Sequence, residues 1–343
     1  MPHPETDGPA APRPVVAYLL LSHKEPEQVA ALAGRILELS PAAQVVVHHD
    51  RRADAVPWTG RPPARVHLVD RTPVFWGGWS IVEATLRMLG AAVDRLDADW
   101  FVIVSGEHWP VADLATWETS LARSGADALV PSVRLPRRLR FGRGDPDGNR
   151  FLARCVHRWA TVPRPRTDAA HKALSALAKL SAYTHPLVKL EFSLRSDAWF
   201  VGLPRRRGPV RRWTLHKGTE WIAFNRRSAA VLTGVDPAVT RWFQRSHIPD
   251  ESYIHTVLLH APGLVVEDSL VTWVPPEPET ATPRWMLLTL DQLPVVEASG
   301  AAFARKIDFA RNPEVAVAID ARVDRRRSPA GPVERPGTAV GDR

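Results

Sequence analysis

Hydrophobic positions in the first third of the chain follow two alternating rhythms. Val15-Val16-Ala17-Tyr18-Leu19-Leu20-Leu21 is an unbroken apolar run, as expected of a strand buried on both faces. The stretch from Pro26 to Leu39 then repeats its apolar positions with helical spacing and opens on a proline. Continuous or short apolar runs predict further strands at Gln44 to His48, Arg65 to Val69, Trp100 to Val104 and Ala128 to Pro131. Between them, Ile81, Ala84, Leu86, Leu89 and Val93 mark a helix over Ser80 to Leu96, and Asp113 to Arg123 reads as another. Strand and helix in alternation predict an α/β fold with a mostly parallel sheet covered by helices, in which ligands sit at the carboxyl ends of the strands.

The rhythm is lost from Arg134 to about Trp213, which is rich in Arg, Pro and Gly. One helix is predicted there, at Ala169 to Tyr183, and the segment reads as an insertion rather than a second core. A strand at Trp221 to Asn225 resumes the main domain, followed by helices at Ser228 to Leu232, Pro237 to Gln244 and Asp250 to Leu259, and a short strand at Val271 to Val274. The expected organisation is one domain over 15–320, divided into 15–133, the excursion 134–213 and 214–320. Disordered ends are expected at 1–14 and 321–343, the latter because the chain from about Arg322 is charged and rich in Pro and Gly.

Composition narrows the classes. The 343 residues are 45% hydrophobic, ordinary for a globular protein. No run approaches the roughly 18 apolar residues that span a bilayer, and Met1 to Pro14 lacks the apolar centre of a signal peptide, so a cytoplasmic location without integral membrane contact is expected. Cys155 is the single cysteine, which rules out internal disulfides and metal sites built on several thiolates. The net charge of +8 is concentrated in Arg137, Arg138, Arg140 and Arg143, in Arg205, Arg206, Arg207, Arg211 and Arg212, and in Arg322, Arg325, Arg326 and Arg327. Such groups can meet nucleic acid or phosphate, or can be solvated surface. Without interleaved aromatics, nucleic-acid binding is the lesser alternative.

The predicted strand ends carry the chemistry: Ser22-His23-Lys24, His48-His49-Asp50 and Ser105-Gly106-Glu107-His108-Trp109-Pro110. No Walker loop and no Gly-x-Gly-x-x-Gly follows a strand. His48 and His49 point to opposite faces of a strand and so cannot share one ion. Asp97-Ala98-Asp99 precedes its strand, and Asp145-Pro146-Asp147 lies in the excursion, so both Asp-x-Asp spellings read as turns and no metal is expected. A leaving diphosphate would then need protein cations, for which Arg284 and the pair Arg305-Lys306 are candidates. Pro249-Asp250-Glu251 puts two carboxylates in a predicted first helical turn, with Asp250 about 30° and Glu251 about 70° from the centre of the apolar stripe. That spacing makes Asp250 a tied-down structural acid and leaves Glu251 at a cleft edge, as a general base requires; a surface cap is the alternative. Of the 13 tryptophans, Trp76, Trp79, Trp109, Trp221 and Trp273 fall beside strand ends or loops, where a ring can stack on a sugar or fill the core.

Taken in order, these pieces resemble the core-2/I-branching enzyme family of glycosyltransferases, which includes β-1,6-N-acetylglucosaminyltransferases and peptide O-xylosyltransferases. The likeness runs from about Val15 to Asp308 through Ser22-His23-Lys24, His49-Asp50, Trp79-Ser80, Ser105-Gly106-Glu107-His108-Trp109-Pro110, Gly218-Thr219-Glu220-Trp221, Pro249-Asp250-Glu251, Trp273 and Phe303-Ala304-Arg305-Lys306. His108 stands where the family has an aspartate, and neither a membrane anchor nor paired cysteines accompany it, so the chain looks like a bacterial member. The resemblance implies a GT-A-like, Rossmann-type sheet and inverting, metal-independent transfer from a UDP-sugar to an acceptor hydroxyl, with GlcNAc the first guess for the sugar and xylose the second. By position, Glu251 is implied as the general base. Leu21, His23, Asp50, Trp76, Arg284 and Lys306 are implied on the donor, and Glu107, Trp109, Glu220, Trp221 and Trp273 on the acceptor. A non-catalytic sugar- or nucleotide-binding relative is the alternative left open by His108.

Overall fold

The computed structural model describes residues 13–139, 146–181, 187–193, 196–276 and 287–328. The first half alternates as expected: β1 (Val16–Ser22), α1 (Pro26–Leu39), β2 (Gln44–His49), β3 (Val66–Leu68), α2 (Ser80–Arg95), β4 (Trp100–Ser105), β5 (His108–Pro110), α3 (Leu114–Arg123) and β6 (Ala128–Leu129). The middle holds β7 (Ser132–Arg134), α4 (Pro146–Val156), β8 (His157–Pro163), α5 (Asp168–Ser181), β9 (Lys189–Ser193) and β10 (Ala198–Pro204). The remainder holds β11 (His216–Gly218), β12 (Ala223–Asn225), α6 (Arg226–Thr233), α7 (Pro237–Phe243), α8 (Tyr253–His260), β13 (Val266–Glu267), β14 (Thr272–Trp273), α9 (Leu293–Ala298), β15 (Phe303–Arg305) and α10 (Pro313–Arg327).

Seven strands form the central sheet in the order β13-β6-β12-β4-β1-β2-β3. Neighbours are parallel except at β12, which runs antiparallel to both β4 and β6. Because side chains alternate across a strand, Val16, Tyr18 and Leu20 enter one core with the buried stripe Val29, Leu32, Ala33 and Ile36 of α1. Ala17 and Leu19 enter the other, against Val82, Met88 and Leu89 of α2 and Tyr253 and Leu258 of α8. Both faces are dry, which is why β1 reads as one apolar run.

Register fixes the site. Ser22 lies opposite His49, and Leu21 opposite Ser105, so the three polar strand ends lie side by side. β12 approaches from the other direction, pairing Ala223 with Val102, and brings Glu220 and Trp221 to that same edge. A small sheet, β14-β15-β5, pairs Arg305 with His108 and carries the C-terminal Phe-Ala-Arg-Lys segment there as well.

Three expectations are corrected. The middle segment holds an antiparallel sheet, β8-β10-β9, in addition to its helices. Pro249–Glu251 is a separate 3₁₀ turn, because Ser252 (φ −138°, ψ −31°) interrupts the path before α8 begins at Tyr253. Residues 321–327 are helical rather than disordered, since Val315, Ala316, Ile319 and Val323 give α10 a buried face. Residues 1–12 and 329–343 lie outside the described residues. Among the described residues, no helix is long and apolar enough to cross a membrane.

Candidate active site

The site begins with Glu107, in the tight connection between β4 and β5. Its carboxylate receives Lys24 at 2.9 Å, Arg305 at 3.1 Å and Lys306 at 3.4 Å. Burial alone would raise its pKa, but the Lys306, Arg305 and Lys24 charges outweigh that and hold it at about 2. Lys24 also reaches Asp308 at 3.8 Å. Glu107, expected on the acceptor, therefore sits against Arg305 and Lys306, the pair expected on the leaving diphosphate.

His108 faces inward with no solvent exposure. Its Nδ1 accepts from the Ser105 backbone N–H at 3.0 Å and meets the Ser105 hydroxyl at 2.8 Å. Burial and then the Arg305 charge push its pKa well down, so the ring is neutral with its proton on Nε2. It thereby ties the end of β4 to the start of β5. Its ring meets the edge of Trp221 at 4.5 Å, and the Arg305 guanidinium lies 4.4 Å over that indole.

The opposite wall is acidic. Glu220 precedes Trp221 on a segment that His255 Nε2 holds at the Thr219 carbonyl, 2.8 Å away. Gly218 begins that segment, and a Cβ there would overlap the Pro131 carbonyl oxygen and the His255 ring. Glu220 Oε1 is sealed from solvent and has no hydrogen-bond partner among the described residues. Burial and then the Asp250 charge, with a further push from Glu251 and against the pull of Arg305, raise its pKa well above the usual carboxylate range. Glu251 Oε2 accepts from Arg154 Nη1 at 3.3 Å, and its side chain keeps 32% exposure. Asp250, expected to be the tied-down member, is part-buried beside Glu220.

The other predicted residues divide. Asp50 is buried and accepts from the Arg52 and Val74 backbone N–H groups at 2.9 and 3.2 Å. Burial raises its pKa, but those bonds and the Arg52 side chain win and lower it. His23 is exposed at the end of β1 and feels Glu107, Lys24, Asp50 and Lys306; Leu21 lines the same end, part-buried. Trp76 stands before α2, edge-on to His247 at 5.9 Å. Trp273 is part-buried against the core. Trp109 is corrected: it is 4% exposed, donates its indole N–H to Asp320 at 2.9 Å and packs on Phe309, which leaves no ring face for a sugar. Arg284, Asp145, Arg140 and Arg143 lie outside the described residues.

The rejected motifs have structural occupations. His49 bridges Ser22 (2.8 Å) and the Ala55 carbonyl (2.9 Å), while His48 meets Thr72 at 2.9 Å. Asp99 accepts from the Val15 N–H at 2.8 Å, and Asp97 pairs with Arg226 at 3.2 Å, both at the amino end of β4. Among the described residues, no cluster of three His, Cys, Asp or Glu is arranged to hold a metal. Sequence reasoning missed Arg154, Glu191 and His247. Arg154 is 97 positions from Glu251, and nothing in linear spacing joins them.

Residues 16–158, less than half of the chain, match the family model described as Core-2/I-Branching enzyme. The match finds the family that the motifs resemble and supports a glycosyltransferase. No curated protein matches the chain. Among solved structures, it is similar to one described as a glucose-1-phosphate thymidylyltransferase from Bacillus anthracis in complex with a sucrose, at 12% identity and TM-score 0.34, covering 74% of this chain and 85% of that one. It is also similar to HddC from Yersinia pseudotuberculosis, at 11% identity and TM-score 0.23, covering 35% of this chain and 59% of that one. At such scores neither bears on the activity.

Proposed function

We propose that the protein is an inverting glycosyltransferase that takes a UDP-sugar donor, UDP-GlcNAc before UDP-xylose, and transfers the sugar to an acceptor hydroxyl. The observation that carries this reading is the meeting of a cationic wall (Lys24, Arg305, Lys306) and an acidic wall (Glu220, Asp250, Glu251) at the carboxyl edge of the parallel strands. Glu251 removes the acceptor proton as the hydroxyl oxygen attacks the anomeric carbon. The bond from that carbon to the diphosphate oxygen breaks on the opposite face, which inverts the configuration. Negative charge grows on the departing UDP, and Arg305 and Lys306 stabilise it there. His23 and Asp50 flank the uridine side, and Trp221 and Trp273 the acceptor side. A cytoplasmic setting suits such a donor.

Glu251→Gln keeps the shape and the hydrogen bond from Arg154 but cannot accept the proton. Its kcat is expected to fall about 10³-fold, within the usual span of general-base contributions, with UDP affinity within about twofold of wild type. Turnover comparable to wild type overturns the base assignment. Because side chains supply the positive charge in this scheme, activity is expected to survive EDTA; loss of most turnover overturns the metal-independent mechanism.

A further inference from the structure

The segment joining α7 to α8, residues 244–252, carries Glu251 and has only the 3₁₀ turn as regular structure. Its shape is imposed by neighbours. The His247 N–H donates to the Arg154 carbonyl at 3.0 Å, and the Trp159 N–H donates to the Arg245 carbonyl at 3.0 Å. Arg205, at the end of β10, donates to Ser246 Oγ at 2.7 Å, to the Cys155 carbonyl at 2.6 Å and to the Trp242 carbonyl. From the other side, the Ile248 N–H donates to the Gly77 carbonyl at 2.9 Å. Ile248 holds φ 50°, a left-handed conformation that a β-branched residue rarely adopts and that its surroundings must maintain. Most of these ties come from α4, β8 and β10, in the segment that reads from sequence as an excursion.

Arg154 of α4 completes the set. It is 8% exposed, and its two terminal nitrogens diverge, Nη1 to Glu251 Oε2 at 3.3 Å and Nη2 to Glu191 Oε1 at 3.2 Å. Phe151 lies 5.2 Å from the guanidinium carbon. Glu191 is held in turn by Arg150 at 3.1 Å. A buried guanidinium is costly without charged partners; Nε finds none among the described residues, so the two carboxylates on Nη1 and Nη2 fix this arginine as it fixes them.

We propose that Arg154 is the positioning residue for the proton-accepting carboxylate: it occupies Oε2 of Glu251 and thereby presents Oε1 to the acceptor hydroxyl. The inference rests on the reading of Glu251 as the base. It makes the middle segment part of the catalytic apparatus, because Arg154 and Glu191 both lie within it. The planar fork suits this role better than a lysine, whose ammonium is a point charge that holds two separated carboxylates less firmly in one geometry.

The test follows UDP release from UDP-GlcNAc, with water as acceptor, together with calorimetric UDP binding and thermal unfolding. Misplacing a reacting group by about an ångström costs on the order of 100-fold, so Arg154→Met is expected to lower kcat by about that factor. KM for UDP-GlcNAc and Kd for UDP are expected to stay within about twofold of wild type, with Arg154→Lys falling about midway in kcat between Arg154→Met and wild type. A merely structural arginine would instead move KM and UDP affinity along with kcat. An Arg154→Met enzyme with wild-type kcat overturns the proposal, as does one whose loss lies in KM. If Glu251→Gln is inactive while Arg154→Met is active, this inference fails and the base assignment stands; an active Glu251→Gln fells the base assignment itself. Should Arg154→Met not fold, Arg154→Lys decides: a lowered kcat at unchanged UDP affinity supports the role, and an unaltered kcat overturns it.

Discussion

Glu107 and Glu220 lie at one edge of the central sheet, both feel Arg305, and have their pKa values driven in opposite directions. Burial pushes each of them toward the neutral acid. Glu107 meets three cations and stays ionised, with a pKa of about 2. Glu220 meets Asp250 and Glu251, which add to the burial and outweigh Arg305, so it keeps its proton well above the usual range. Desolvation therefore sets the cost for both, and the sign of the neighbouring charge decides the result. One wall carries an anion that gathers the cations proposed to meet the departing diphosphate. The other holds an acid whose pKa is pushed up beside the proposed base, so the two walls shift their carboxylates in opposite directions.

The comparison breaks most severely at Glu107. Glu107→Ala leaves Lys24, Arg305 and Lys306 facing one another without their shared anion, and is expected to cost on the order of 3 kcal/mol in denaturant unfolding. UDP should then raise the stability of the variant more than that of wild type, because its diphosphate supplies the missing charge. Equal stabilisation of the two would show that these cations are not the diphosphate site.

A third glutamate sharpens the contrast from a distance. Glu118 is 3% exposed and accepts from the Tyr18 hydroxyl at 2.6 Å and the Ser40 hydroxyl at 2.7 Å. Burial raises its pKa from 4.5 to about 7 against the pull of those two bonds. A folded-state pKa above the unfolded one gives stability that is full below pH 4.5 and is lost as pH rises through about 7. The loss amounts to about 3 kcal/mol over that window. Glu118→Gln, measured by unfolding at several pH values, is expected to remove that slope. A variant that keeps the wild-type slope would show that Glu118 titrates normally.

The smallest effect is expected at Glu220. Its raised pKa has the same sign, so the wild-type protein loses stability as pH climbs above the ordinary carboxylate range. Glu220→Gln mimics the protonated form and should be at least as stable as wild type near neutrality, with a flatter pH dependence. A clear loss of stability near neutrality would mean that Glu220 is ionised in the folded protein, and its contrast with Glu107 would vanish.

Much of the frame was legible because packing and local preference agree. α1 begins at Pro26 and ends at Leu39, as its spacing predicts, and β4 is the apolar run from Trp100 extended by Ser105. β8 was illegible for the opposite reason: from Arg158 onward its residues are exposed or part-buried, so its sequence carries no alternation. The arginines of α10 read as a charged tail, yet Arg322 and Arg326 close on Glu297, Arg327 closes on Asp113, and the apolar stripe beneath them is buried. Of the residues that the motifs single out, Glu107 and Lys306 share one ion cluster and Glu220 lies near Glu251. Which of them share charge was not readable, since Arg305 and Glu107 meet across 198 positions and Arg154 and Glu251 across 97.

Gly218 has a bearing on how such a protein could be re-engineered. With the Pro131 oxygen and the His255 ring already filling the volume of a methyl group, position 218 admits no side chain without moving β6 or α8. Substitutions at Thr219 and Glu220 therefore exchange side chains on a backbone that the packing around Gly218 holds in place. On the proposed acceptor side, new specificity would come from exchanging groups on a fixed ledge rather than from tilting the ledge.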